Sequence, residues 1–344
     1  MLRFITGRLL QFPLILVVIY LTTFFLAWVA PGSPFERSDR KLPPLVLQSL
    51  KEKFHAEHWY TFLAWYPYRI VAHGDLGPSL NYPERTVNQI IASHLPVSIA
   101  LGATAVVIAL IGGVTIGTLA AVRRNGPLDW ISLNVAMIGI SVPSFVAASI
   151  LIAIFAVWPP WFNVPPSWTG GSPWFGVPWF KLPSNGWPSG WEWSLSTMGQ
   201  YIRHLLLPSL ALSLLPMAYI TRLTRVSMID VLGSDYVRTA RAKGLSKPSV
   251  IWKHCLRNAI LPVVSYIGPA AAGTLVGSFV VEKIFNIPGL GTFFVTSVQN
   301  RDQPLILGTV LVYSTLLLAM NLLVDISYGF IDPRIDVTAT RQEA

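Results

Sequence analysis

Six stretches of this chain carry no Asp, Glu, Lys or Arg: 9–30, 96–122, 130–158, 205–221, 258–281 and 303–324. About 20 residues of α-helix cross a hydrocarbon core of roughly 30 Å. Inside that core every backbone N–H and C=O must be satisfied within the span. The fold class that follows is an all-α polytopic membrane protein with six transmembrane helices. The fourth stretch is the shortest and needs His204 or Arg222 at an interface. Composition agrees: 53% of the residues are hydrophobic and 12% charged, about half the charge of an ordinary soluble domain.

A formal net charge of +9 would suit nucleic acid as well as a membrane surface. Its distribution decides against nucleic acid. With the N-terminus inside, Arg3, Arg8, Arg123, Arg124, Arg222, Arg225, Arg334 and Arg341 all fall on the cytoplasmic side, with the Arg and Lys residues of 226–258. The short outer segments after the fifth stretch carry only Lys283 and Arg301. The positive-inside rule is thus obeyed with both termini in the cytoplasm, and the loop 31–95, although it holds seven Lys and Arg, is of a length the rule largely exempts.

The chain divides accordingly. Residues 1–30 begin like a signal peptide, with Arg3 and Arg8 before an apolar run, but that run is too long for one and a cut after Ala30 would put the bulky Trp28 where a small residue is needed, at the third position before the cut; it reads as an uncleaved first span. Residues 31–95 form an extracytoplasmic cap with helical periodicity at 45–62 (Leu47, Leu50, Phe54, His58) and a turn at Gly74-Asp75-Leu76-Gly77-Pro78-Ser79. Residues 96–330 are a five-helix core, its second span opening at Pro96-Val97-Ser98, with an outer loop at 158–203 and a cytoplasmic loop at 226–258; 331–344 is a cytoplasmic tail. From Trp158 to Trp193 there are eight Trp and eight Pro, which argues against helix or central strand. The Trp residues read either as an interfacial belt or as aromatics that meet a substrate or its carrier protein. Gly113 and Gly117, and again Gly273 and Gly277, have the GxxxG spacing of helix-packing surfaces. The single Cys255 leaves no internal disulfide and reads as a small packing residue.

The polar interval 234–262 has a strong positive excess between two apolar runs. Ser234 and Asp235 are N-cap types and Gly244 a C-cap type, so 235–243 reads as a short helix. Ser246 caps a second helix with Pro248 in its first turn. Tyr236 and Ala240 lie one turn apart, with Arg238 and Arg241 on another face. This helix–glycine–helix knuckle reads either as an amphipathic helix on anionic lipid or as a helix that docks a protein.

Arg238-Thr239-Ala240-Arg241-Ala242-Lys243-Gly244-Leu245, with Arg257-Asn258-Ala259 and Leu261-Pro262 after it, resembles the cytoplasmic coupling loop of permease subunits from ATP-binding-cassette importers. That loop is written Glu-Ala-Ala, three residues, Gly, and further on Ile-x-Leu-Pro. Here Arg238-Thr239-Ala240 stands in place of Glu-Ala-Ala, and Pro262 comes late after Gly244. Both departures resemble the oligopeptide, dipeptide and nickel branch. Three further stretches are similar to that branch: the turn at 74–79, Val281-Glu282-Lys283-Ile284-Phe285-Asn286-Ile287-Pro288-Gly289-Leu290-Gly291, and the closing Asp332-Pro333-Arg334.

The resemblance implies the type I importer permease fold in a bacterial cytoplasmic membrane and peptides as cargo, either oligopeptides or dipeptides; nickel or another small solute is the alternative. It also implies a second homologous permease, two ATPase subunits that bind ATP and Mg, and an extracytoplasmic substrate-binding protein. Asp235, Tyr236, Arg238, Thr239, Ala240, Arg241, Ala242, Lys243 and Gly244 would form the helix gripped by an ATPase. Arg238 and Arg241 would pair with its charges, and Ala240 and Ala242 would permit close approach. The resemblance names no residue of the substrate pathway, and no cofactor, metal ligand or catalytic group is expected in this chain.

The residues support that last point. No Gly-Lys dipeptide occurs, so there is no Walker A loop, and HExxH, CxxC and GxSxG are absent. An ion-coupled secondary transporter is the competing class, and it needs ionisable groups at membrane depth. Asp325, with Asn321 one turn earlier, is the only candidate, and its place near the inner end of the sixth stretch suits helix packing better than proton relay.

Overall fold

The computed structural model describes residues 2–30, 48, 58–82, 84–155 and 195–331. The cap over most of 31–57, most of the Trp/Pro-rich loop and the tail from 332 lie outside the described residues, as does the amphipathic stretch 45–62 except for 48 and 58–62. The described residues are helical, with an isolated antiparallel bridge between Pro78 and Thr86 and no strand. Eleven helices follow in order: α1 Leu2–Val29, α2 Trp59–His73, α3 Val87–Val122, α4 Pro127–Ser141, α5 Ser144–Phe155, α6 Leu195–Leu232, α7 Asp235–Ala242, α8 Lys247–Ala259, α9 Leu261–Ile284, α10 Leu290–Asn300 and α11 Gln303–Ile331.

Helices α1, α3, α6 and α11 are long and apolar enough to cross a membrane, and the bent pairs α4/α5 and α8/α9 raise the number to as many as six. The third apolar stretch is therefore not one straight span: it turns through 112° between α4 and α5. Pro143 is the cause, because its ring disfavours helical backbone in the residue before it, and Val142 is extended (φ −88°, ψ 119°). The second span starts before Pro96, at Val87. Thr86 and Gln89 form a reciprocal capping box there, each side chain accepting from the other's backbone N–H (3.3 and 3.0 Å). The fourth span, the shortest apolar stretch, lies in the longest helix, the 38-residue α6. Helix α10, where sequence signals only a turn, is a separate amphipathic element ended by Arg301 at φ 57°.

The described residues fall into two compact units. The first contains α1, α2, the start of α3, α10 and the first part of α11. Its core is aromatic: Tyr20, Phe24, Phe62 and Tyr66 pack with Leu307. Both tyrosines are satisfied as burial requires, Tyr20 donating to the Leu63 carbonyl (3.0 Å) and Tyr66 to that of Pro304 (2.9 Å). The Ser98 hydroxyl accepts from the Leu290 N–H at the head of α10 (2.9 Å).

In the second unit α6 is the hub, packing against α4, α5 and α9. Small residues make this possible. A Cβ on Gly113 would lie 2.7 Å from Ile220 Cβ, and one on Gly117 would lie 2.6 Å from the Thr221 carbonyl oxygen. The GxxxG surface of α3 therefore seats α6. The glycine at the corresponding place in α9, Gly273, has nothing within 4 Å of where a Cβ would stand, so among the described residues it seats no other helix of this chain.

Candidate functional site

Helix α7 and its surroundings realise the knuckle. Ser234 has the extended backbone of an N-cap (φ −72°, ψ 153°), but its hydroxyl donates back to the Val231 carbonyl (2.6 Å) instead of capping α7. At the other end Gly244 is left-handed (φ 75°) and donates to Arg241 O (3.0 Å), while Leu245 N–H reaches Ala240 O (3.4 Å). These two bonds are a Schellman motif, which places Lys243 rather than Gly244 at the C-cap.

Behind α7 lies a buried apolar cluster: Ala121, Met228, Val237, Ala240, Val250, Cys255 and Ala259. Val237 and Ala240 are its contribution from α7, so the short helix is fixed to α6 and α8 by its own chain. The role sequence suggests for Ala240 is corrected accordingly. It is only 5% exposed and faces this internal cluster, because an alanine three residues after Val237 lies on the same helix face. Cys255 is fully buried in the same cluster, as a packing residue should be. A π turn at Val250–Cys255 opens α8 beside it. Tyr236 fastens the edge of the joint, accepting from Asn258 Nδ2 (2.8 Å) and donating to the His254 carbonyl (3.3 Å).

The outer face is polar, cationic and open. Asp235, Arg238, Thr239, Arg241, Ala242, Lys243 and Gly244 are all exposed, and Tyr236 is 42% exposed. Arg238 meets Asp235 at 3.6 Å, but with side chains 74% and 97% exposed such a pair fixes little. Leu245 and Trp252 add exposed apolar surface nearby. Arg238, Thr239 and Arg241 to Gly244 are thus brought together on one accessible surface, and Ala240 is not.

Two polar arrangements have no counterpart in the sequence reading. In the second unit Arg225 of α6 grips Asp129 of α4 through Nε and Nη2, and Asp129 Oδ2 also accepts from Asn125 N–H (2.9 Å). The Asp129 side chain is 5% exposed and that of Arg225 18%, a paired charge largely removed from water. In the first unit the turn at 74–79 is held from all sides. Asn88 accepts from Leu76 N–H (2.7 Å) and donates to Gly74 O (2.8 Å), and Asp75 accepts from Gly77 N–H (2.9 Å) and from Arg69. Burial works against the ionised Asp75 carboxyl, but Arg69 and the Gly77 N–H outweigh it and hold its pKa below the ordinary carboxylate value. Ser79 donates to the buried Asp302, which also caps α11 by accepting from Leu305 N–H (3.2 Å). Glu282 is fully buried, with Ser278 donating to its carboxylate (2.9 Å), so in this chain it lies away from any open surface. Among the described residues no three His, Cys, Asp or Glu side chains are grouped to hold a metal.

Helices long and apolar enough to cross a membrane, together with an exposed cationic helix backed by a buried cluster, define an integral membrane protein. Residues 113–337 match the family described as binding-protein-dependent transport system inner membrane component. The dipeptide transport system permease protein DppB of Bacillus subtilis is 41% identical over 336 residues, which is 97% of this chain and 98% of that one. The oligopeptide transport system permease proteins OppB of Haemophilus influenzae and Escherichia coli K12 are each 39% identical over 340 residues, or 97% of this chain and 99% of theirs. The chain belongs to the binding-protein-dependent transport system inner membrane component family.

Proposed function

We propose that this chain is the membrane-spanning permease subunit of an ATP-driven importer that carries peptides across a bacterial inner membrane. The curated relatives, named as dipeptide and oligopeptide permeases, support the cargo class. The observation that carries the coupling role is the contrast within α7, where Val237 and Ala240 are packed into the chain while Arg238, Arg241 and Lys243 are exposed to water. A push on the outer face passes to α6 and α8 through the buried cluster, because close-packed interiors transmit displacement instead of absorbing it. ATP and Mg are held by two partner ATPases, and this chain contributes no catalytic group. A second permease completes the pathway, a substrate-binding protein delivers peptide outside, and both termini of this chain are cytoplasmic.

The test is reversal of the exposed charges. Membranes from cells expressing R238E/R241E should hold the protein at wild-type level, yet P-loop ATPases should no longer copurify in mild detergent and peptide uptake should fall to background. Gly244→Pro should act likewise, since proline fixes φ near −65° where Gly244 needs 75°. Normal uptake with both variants, or a stable homo-oligomer recovered without an ATPase, would overturn the proposal.

A further inference from the structure

Beside α7 opens a cleft of about 670 Å³, lined by Tyr236 and by the residues on either side of the α8–α9 bend. Its polar side is formed by Tyr236, Lys253, His254, Arg257 and Asn258, and among the described residues no carboxylate lines it. Lys253 and Arg257, four residues apart on α8, are both exposed. The hydrogen bond from Asn258 to the Tyr236 hydroxyl (2.8 Å) shapes this side into a fixed wall. The opposite side is apolar, formed by Ile260, Leu261 and Val264. The chain bends by 57° between the two sides, where α8 gives way to the apolar run of α9. One concavity thus offers two cations and a string of aliphatic side chains where a span begins.

We propose that this cleft binds the phosphate headgroup of an anionic membrane lipid, with an acyl chain laid along Ile260, Leu261 and Val264. Charge complementarity selects an anion, since basic side chains near a membrane surface attract acidic headgroups. The apolar wall selects an anion that carries a hydrocarbon tail. A free oxyanion would meet Lys253 and Arg257 but leave that wall wet. The inference needs only that α9 enters the bilayer at its Leu261 end, so it stands or falls independently of what α7 docks.

The full-length chain, purified in mild detergent with whatever partners accompany it, is titrated with phosphatidylglycerol and with phosphatidylcholine and examined by native mass spectrometry. The expected result is preferential retention of phosphatidylglycerol, weakened roughly 25-fold in K253Q/R257Q, about fivefold per removed charge. Lys283→Gln, a cation elsewhere on α9, should leave it unchanged. Lys253→Gln alone, at an exposed site, supplies the comparison if the double variant does not accumulate. Excess inorganic phosphate should displace little of the lipid; full displacement by phosphate alone would identify a free oxyanion site and overturn the lipid assignment. Equal retention of the two lipids, or undiminished retention in the charge variants, would also overturn it. So would a photo-cross-linker at His254 that captures a protein chain in place of lipid.

Discussion

The knuckle around α7 and the turn at 74–79 are built from similar materials: a left-handed glycine, a short run of polar residues, and acid and base close in sequence. They treat their charges in opposite ways. In the turn, Asp75 is engaged by Arg69 and Gly77, Ser79 by Asp302, and Asn88 closes the backbone from the side. At the knuckle the apolar residues do the fixing, and the cations are left outside with one loose ion pair. Internally satisfied polar groups specify a shape. Exposed cations on a packed frame specify an encounter.

Breaking the frame of the second unit without touching a charge should have the largest effect. Gly117→Leu drives a side chain into the Thr221 carbonyl and Thr224, and overpacking of that kind should cost about 3 kcal/mol. The expected readout is loss of protein from the membrane and a lowered melting temperature in detergent. Asp129→Asn should come next, at about 2 kcal/mol, because it leaves Arg225 largely buried opposite a neutral amide. D129N/R225M should recover part of that loss, and no recovery would mean the pair is not acting as a pair. Ser79→Ala should remove about 1 kcal/mol from the first unit, with ATPase copurification unchanged.

Titration of Asp75 sharpens the comparison further. Its pKa is lower in the folded chain than in the unfolded one, so its contribution is fully present above the unfolded value near about 4 and is lost as pH falls through the lower folded value. The melting-temperature gap between wild type and Asp75→Asn should therefore hold steady at neutral pH and narrow as pH falls below about 4. The smallest effect on stability is expected from Arg238→Gln, roughly 0.3 kcal/mol, together with a pronounced loss of peptide uptake. A large stability loss there would place Arg238 in the frame and dissolve the contrast.

Local signals explain why the knuckle was legible in sequence: Ser234, Asp235 and Gly244 mark helix ends by their own backbone preferences. That Ala240 faces inward follows from its spacing to Val237, but what it packs against was not legible, since Ala121, Met228 and Cys255 come from elsewhere in the chain. The apolar stretches revealed that spans exist but not where they start or bend. Thr86 with Gln89 carried the signal for the early start of α3, as Pro143 did for the break in the third. Asp129 and Arg225 are 96 residues apart, and no local pattern announces such a pair beyond an acid in the first turn of a helix. Asp302, just ahead of Gln303-Pro304, carried a readable N-cap signature.

The length of α6 has a mechanical consequence. At about 1.5 Å per residue a straight helix of this size is about 57 Å long, nearly twice the roughly 30 Å of hydrocarbon it crosses. The excess is shared between the two ends: about 11 residues, or roughly 16 Å, extend past the apolar stretch on the Met228 side, and a tilt of roughly 10° sweeps that tip through about 3 Å. Met228 lies on that overhang and packs directly into the cluster that holds α7. Under the proposed coupling role, a displacement of about 3 Å at the knuckle would correspond to a tilt of roughly 10° where α4, α5 and α9 rest against the same helix.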